Sequence, residues 1–266
     1  MKVWAIANQK GGVGKTTTAV SLAGLLSQAG HRTLLMDADP HGSMSVYFGN
    51  DPDTTPGGLY QLFHDFDTLS TQSVRNIILR SNYDNIDIMP ASSSMAALDR
   101  QMGTRSGMGL VFSKALGLID EDYDFVLIDC PPLLGILMVN ALAVCDELLV
   151  PVQTEFLALK GLERIVHTLH MIMQSRNEIL HYTVVPTLYD RRTNASRGAL
   201  EALQEQYPET LWPGVIPVDT QFREASRVGA PLSMMLPESR GALAYSKLLE
   251  YLLADNRAVS QSVVNS

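Results

Sequence analysis

At 266 residues, 46% of them hydrophobic, the chain is long enough for one large α/β domain with a sizeable core. Its 28 acidic residues outnumber 20 basic ones, for a net charge of −8, which excludes nucleic-acid binding by bulk charge but not through a local basic patch. The two cysteines, Cys130 and Cys145, sit in apolar sequence without metal-ligand spacing and read as buried free thiols of a reducing compartment. No apolar run reaches the length of a membrane span: residues 133–142 and 148–152 are broken by Asn140, Asp146 and Glu147. The N-terminal apolar run is too short for a signal peptide and leads straight into a glycine-rich turn.

In chain order, residues 3–7 read as a buried strand and residues 19–26 carry the apolar spacing of a helix. Between them lie Gln9, Lys10, Gly11, Gly12, Val13, Gly14, Lys15, Thr16 and Thr17. A glycine-rich turn between strand and helix is a phosphate cradle. Glycines let backbone N–H groups close around phosphate oxygens, and the helix N-terminus adds partial positive charge. Lys15 can reach the β- and γ-phosphates and the Thr16 hydroxyl can ligate magnesium. Residues 33–36 form the second strand, followed by Asp37, Ala38, Asp39 and Pro40. In an open parallel sheet ligands lie beyond the C-terminal strand ends, so both aspartates project toward the phosphate site.

Residues 50–58, rich in Asp, Pro, Thr and Gly, read as a surface loop. A strand over 85–89 is closed by Pro90. Ser92 or Ser93 caps a helix that sets Met95, Leu98 and Met102 on one face. Residues 108–119 read as a helix and 124–128 as a strand ending at Asp129, before Cys130, Pro131 and Pro132. A carboxylate after an apolar strand suits a magnesium ligand acting through water. Further elements follow: a helix at 136–145, a strand at 147–152, a helix at 156–173, a strand at 182–186, and helices at 194–206 and 243–253. This alternation predicts one doubly wound, mostly parallel sheet with helices on both faces, over residues 1–253, and a polar, flexible tail over 254–266.

The strict P-loop pattern wants glycine where Gln9 stands. The form KGGVGKTT, with the second lysine Lys10, resembles the deviant Walker A motif of the ParA/MinD family of ATPases. The resemblance extends over nearly the whole chain. The segment Asp37 to Pro40 resembles the family's DxDPQ motif with His41 in place of Gln, and Asp129-Cys130-Pro131-Pro132 resembles its DxPP motif. By that resemblance Lys10 crosses a dimer interface to the partner's phosphates, and Asp39 orients the attacking water and meets magnesium through water. Thr187, Pro217, Val218 and Asp219 fall in segments that line the family's adenine pocket. Arginines near Arg191, Arg192, Arg223 and Arg227 contribute to sequence-independent DNA binding in the family. The second arginine position of that footprint is Gln221 here.

The resemblance therefore implies a bacterial, cytoplasmic, ATP- and Mg2+-dependent ATPase with slow basal turnover. It would form a homodimer when ATP-bound and be stimulated by an adaptor, either ParB-like or a polar scaffold. Its cargo would be a polar chemotaxis array, ranked first, or a plasmid or chromosome partition complex. With no helix-turn-helix segment ahead of the P-loop, it is closest to the small Soj-type branch. A MinD-like membrane-docking form is the alternative. Leu248, Leu249, Leu252 and Leu253 form an apolar stripe in the last helix, but Lys247 is the one basic residue close by, so core packing is expected instead of stable membrane insertion. A metabolic P-loop enzyme is the further alternative. The nitrogenase iron-protein type would place cluster cysteines elsewhere than beside Asp129.

Overall fold

The computed structural model describes residues 1–55, 57–102, 105–176 and 181–254. The expected polar tail lies outside these residues beyond Ala254. In chain order the elements are β1 (Lys2–Ile6), α1 (Lys15–Gln28), β2 (Thr33–Asp37), α2 (Ser43–Tyr47), α3 (Leu59–His64), α4 (Thr71–Asn76), β3 (Leu79–Arg80), β4 (Ile86–Met89), α5 (Leu98–Met102), α6 (Val111–Gly117), β5 (Phe125–Asp129), α7 (Ile136–Val144), β6 (Glu147–Gln153), α8 (Phe156–Arg176), β7 (His181–Thr187), α9 (Asn194–Gln206), α10 (Gln221–Val228), α11 (Leu232–Met235) and α12 (Arg240–Leu253).

The strands form one seven-stranded sheet in the order β3-β4-β2-β5-β1-β6-β7. Every pairing is parallel except that of β3 with β4 at one edge. Alternate residues of each strand feed opposite cores. Val3 and Ala5 point to one face with Leu34, Met36, Val126 and Ile128, under α3, α6, α7 and α8. Trp4 and Ile6 point to the other with Leu35, Leu127 and Leu149, under α1 and α12. Burial on both faces is why the strands read as continuous apolar runs. The mostly parallel, two-faced architecture is the one the alternation predicted.

Several local expectations change. The helix expected over 108–119 splits into a 3-10 turn, Met108–Leu110, and α6. Gly107 has φ 86° and Leu110 sits at φ −119°, and the Phe112 amide goes to the Asn140 side chain on α7 (3.1 Å) instead of to a helical carbonyl. Likewise Ser92 opens a 3-10 turn, Ser93–Ala97, ahead of the short α5. Cys130 is buried as expected, but Cys145 is only half-buried. In α12, Leu248 and Leu249 seat in the core beside Tyr245, whereas Leu253 remains 39% exposed. Among the described residues no helix is long and apolar enough to cross a membrane.

Candidate functional site

The strand register assembles the site. β5 lies between β1 and β2, with Ile6 opposite Asp129 and Asp37 opposite Asp129. The loop after β1, the turn after β2 and the end of β5 therefore meet at one edge of the sheet. They open into a cavity of about 710 Å³, bounded by residues 11–17, Asp39, Pro132 and, across from them, Thr187 and residues 216–220.

The loop needs glycine where it turns. Gly12 has φ 73° and Gly14, the N-cap of α1, has φ 95°, both in the left-handed region that side chains disfavour. A β-carbon added at Gly11 or Gly12 would meet nothing within 4 Å, so the room at the loop is open space facing the cavity. Lys15 is buried and folds back over the loop, its Nζ 3.5 Å from the Lys10 carbonyl. The Thr16 hydroxyl donates to Asp129 Oδ2 at 2.5 Å. Val13 is fully buried, and its carbonyl accepts from the Thr187 hydroxyl at 2.8 Å, tying the end of β7 to the loop.

Asp37 and Asp129 are both buried, and burial pushes both carboxyls above the usual range. For Asp129 the neighbouring Asp37 charge adds to burial, while Thr16 and Lys15 oppose it. Asp37 Oδ2 is held by the Ser45 amide and hydroxyl, each at 2.7 Å. Asp129 Oδ1 is buried with no hydrogen-bond donor on it. An orphaned carboxylate oxygen beside a threonine hydroxyl, with Asp39 on the same cavity wall, is an oxygen donor set that suits a hard cation such as Mg2+. The glycine loop, the α1 N-terminus and Lys15 suit a polyphosphate. These residues would hold nucleotide and metal: residues 11–17 the phosphates, and Thr16, Asp129 and Asp39 the cation.

The other predicted residues fall as follows. Lys10 turns toward its own chain: its ammonium donates to Glu155 and to Gln153 Oε1 (3.1 Å). Pro217, Val218 and Asp219 line the far wall of the cavity. Asp219 also fixes the start of α12, accepting from the Gly241 amide at 3.0 Å. Arg191 and Arg192 stand on the β7–α9 turn. Arg192 grips Asp190 through Nε (2.9 Å) and Nη2 (2.8 Å), and this hydrogen bonding pulls the Asp190 carboxyl down to about 2. Arg227 pairs with Glu224, as a solvated helix face would. Arg223, by contrast, lines the nucleotide-sized cavity. A bridge between Tyr189 and Pro217 joins the two segments that carry these arginines.

Sequence reasoning did not reach some of the wall. Leu188 lies there at φ 52°, strained for a branched side chain, with Phe222 and Tyr245 nearby. Tyr245 is fully buried, and its hydroxyl meets the Thr18 hydroxyl at 2.9 Å, joining α12 to the first turn of α1. An aromatic in an apolar helix stripe carries no signal of such a contact.

Comparison with known proteins follows the same outline. A family model described as an AAA domain matches residues 1–182. The sporulation initiation inhibitor protein Soj of Bacillus subtilis is 33% identical over 255 residues, covering 96% of this chain and 99% of Soj. The chromosome partitioning protein ParA of Caulobacter vibrioides is 34% identical over 260 residues, covering 97% of this chain and 96% of that protein. Among solved structures, cobyrinic acid a,c-diamide synthase from Mycobacterium smegmatis, with bound ADP and magnesium, gives a TM-score of 0.80 at 32% identity over 95% of this chain and 94% of that one. Apo McdA of Cyanothece gives 0.81 at 22% identity over 94% and 99%, a likeness of fold. With relatives this similar over nearly their full length, and a deviant P-loop that shares its cavity with Asp39 and is tied through Thr16 to the buried Asp129, the chain belongs to the ParA/MinD-type family of P-loop ATPases.

Proposed function

We propose that this protein is an ATP-driven positioning switch, carried by one observation above the others: Thr16 hydrogen-bonded to Asp129 at the mouth of a glycine loop, with Asp39 on the same cavity wall. Amides of residues 11–17 and the Lys15 ammonium would hold the phosphates of ATP. Bound Mg2+ would neutralise charge between the β- and γ-phosphates. Asp39 orients a water in line with the γ-phosphorus. The water's oxygen forms the new P–O bond, the bond to the β–γ bridging oxygen breaks, and ADP and phosphate leave. Phosphoryl transfer asks for positioning and charge neutralisation more than for a strong base, so an ordinary carboxylate on the cavity wall suffices.

Lys10 supplies the switch. Within its own chain it is held on Glu155, while Lys15 serves the cradle. Phe156 (71% exposed) and Leu157 (73%), next in sequence to Glu155, and Leu133 (76%), beside Asp39 in a hollow adjoining the cavity, present apolar side chains to solvent. A second copy closing on this face would cover them and receive Lys10 at its phosphates, where a cation stabilises the transferring group. ATP favours the closed pair only as far as it binds that state better than the open one. An adaptor protein, ParB-like or a polar scaffold, would then trigger hydrolysis.

The name of the chromosome partitioning ParA relative supports a partition complex as cargo over a chemotaxis array. Arg191, Arg192, Arg223 and Arg227 offer a rim for non-specific DNA. Such binding would be salt-sensitive and blind to sequence. A metabolic synthase is the second reading, favoured by the name of the Mycobacterium smegmatis neighbour.

The test uses Asp39→Ala in the full chain, with ATP and with ADP. A dimer in ATP that reverts in ADP, and ATP-dependent binding to random duplex DNA that weakens with salt, support the switch. A monomer in both nucleotides overturns it, and ATP turnover by the unmodified chain that depends on an added carboxylic acid would favour the synthase.

A further inference from the structure

His41 departs from the family's usual glutamine, and the structure shows what it touches. Its backbone amide donates to Asp39 Oδ1 at 3.0 Å, and its ring Nδ1 lies 2.8 Å from the same oxygen. With the proton on Nδ1, the ring gives Oδ1 a second donor. The rest of the turn fixes the Asp39 backbone and leaves its side chain free. The Asp39 amide faces Asp37 Oδ1 at 3.3 Å, and the Asp39 carbonyl accepts from the Gly42 amide at 2.8 Å. Pro40 restricts the link between the two residues. The His41 side chain is 82% exposed and that of Asp39 only 15%, so the contact joins a solvent-facing ring to a largely shielded carboxylate. Both residues line the nucleotide cavity and the adjoining 250 Å³ hollow walled by Pro131, Pro132 and Leu133.

We propose that His41 is a positioning residue for hydrolysis: by occupying Asp39 Oδ1 twice it fixes the carboxylate rotamer, so that Oδ2, which has no protein donor among the described residues, is presented to the attacking water. This inference rests on the reading of Asp39 as the water-orienting carboxylate. An unanchored Asp39 would sample other rotamers, and a misplaced orienting group slows chemistry without weakening ATP. Among the described residues His41 makes no hydrogen bond to the glycine loop, so its loss is expected to fall on kcat more than on nucleotide affinity.

Steady-state ATP hydrolysis, ATP binding and thermal unfolding of the full chain with Mg2+ test this. His41→Ala removes the ring donor but keeps the amide. It should lower kcat about fivefold, the effect of losing one hydrogen bond to a charged group, with KM and ATP affinity changed by less than about twofold. His41→Asn sets a side-chain N–H close to the place of Nδ1 and should recover most of kcat. Asp39→Ala should be slower than either, and the double variant no slower than Asp39→Ala. Wild-type kcat in His41→Ala beside an inactive Asp39→Ala overturns the inference alone. Wild-type kcat in Asp39→Ala overturns the underlying reading of Asp39. If His41→Asn is as slow as His41→Ala, or if kcat, KM and unfolding temperature all worsen together, the residue shapes the turn and does not position the carboxylate.

Discussion

Lys10 and Glu155 lie 145 positions apart in the sequence and meet at the start of the glycine loop, where the ammonium is bonded to the carboxylate. Both side chains keep more than a third of their surface in water, 38% and 37%, so the pair is worth about 0.2–1 kcal/mol. That is small enough for a second copy's phosphates to outcompete. Replacing Glu155 with Gln should therefore lower the concentration at which ATP drives dimerisation, by up to about fivefold, the equivalent of 1 kcal/mol. Replacing Lys10 with Ala should leave ATP binding intact and remove hydrolysis. Analytical ultracentrifugation in ATP, paired with turnover, checks both. An unchanged dimerisation midpoint in Glu155→Gln would show that the pair does not restrain Lys10.

A different outcome is expected at Lys15. It is 8% exposed and folded over the loop, so removing its charge takes away a partner that water cannot replace. Lys15→Gln should weaken ATP at least about a hundredfold, as loss of a desolvated charge partner does. Thr16→Ala, which deletes only the hydroxyl that meets Asp129, should instead make binding less dependent on Mg2+. Calorimetric titration with and without Mg2+ separates the two. Normal ATP affinity in Lys15→Gln would refute the cradle.

The buried carboxyls give a pH signature. Asp37 and Asp129 both have folded-state pKa values raised above the unfolded range by burial. Between the ordinary carboxyl value of about 4 and the raised values, the folded state holds more protons than the unfolded one. Their contribution to stability therefore falls as pH rises through this window, opposite to the usual paired aspartate. Apo-protein melting temperature should decline from mildly acidic to neutral pH. Saturating Mg2+ and nucleotide, which favour the charged form, should flatten the slope. Asp129→Asn should flatten it without them. An apo profile that rises over the same window would contradict the burial argument.

Much of this site could be read before the fold was known. The glycines at 12 and 14 announce positive φ, the aspartates at 37 and 129 end apolar strands that are buried on both faces, and Asp39 follows two residues after the first of them. Both signals are local and have a period or spacing. What escaped has neither. α10 is only eight residues long, so Phe222, Ala225 and Val228 repeat over too few turns to mark it as a helix. β3 is two residues long, too short for any alternation. The Arg192–Asp190 pair is close in sequence yet formed by a turn whose geometry no pattern reveals, and Arg223 faces the cavity because α10 packs as it does.

Asn140 illustrates the same gap and can be tested. It is fully buried in α7. Its amide donates to the Met108 carbonyl (2.7 Å) and the Ile136 carbonyl (2.8 Å), and its oxygen accepts from the Phe112 amide (3.1 Å). It thus caps the start of α6 from another helix. Asn140→Leu would strand buried backbone groups and should destabilise the fold by about 1–3 kcal/mol, while ATP affinity per folded molecule is unchanged. Urea unfolding measures this, and a loss under 0.5 kcal/mol, on the order of a surface change, would mean that the backbone groups find other partners.

The rim arginines make the last prediction. Arg192 is 81% exposed even while bonded to Asp190, so a DNA phosphate can compete for its guanidinium. Arg191→Glu and Arg192→Glu should each weaken binding to duplexes of any sequence, and each should reduce the slope of log affinity against log salt by about 1. Asp190→Asn should free Arg192 and tighten binding. Because the β7–α9 turn is also anchored by the Tyr189 amide on the Ile216 carbonyl (3.0 Å), ATP affinity should hold in all three variants. Fluorescence anisotropy on two unrelated duplexes, in ATP, at two salt concentrations, decides. Unchanged affinity in both arginine variants would reject the rim as a DNA surface and direct the search to a protein track.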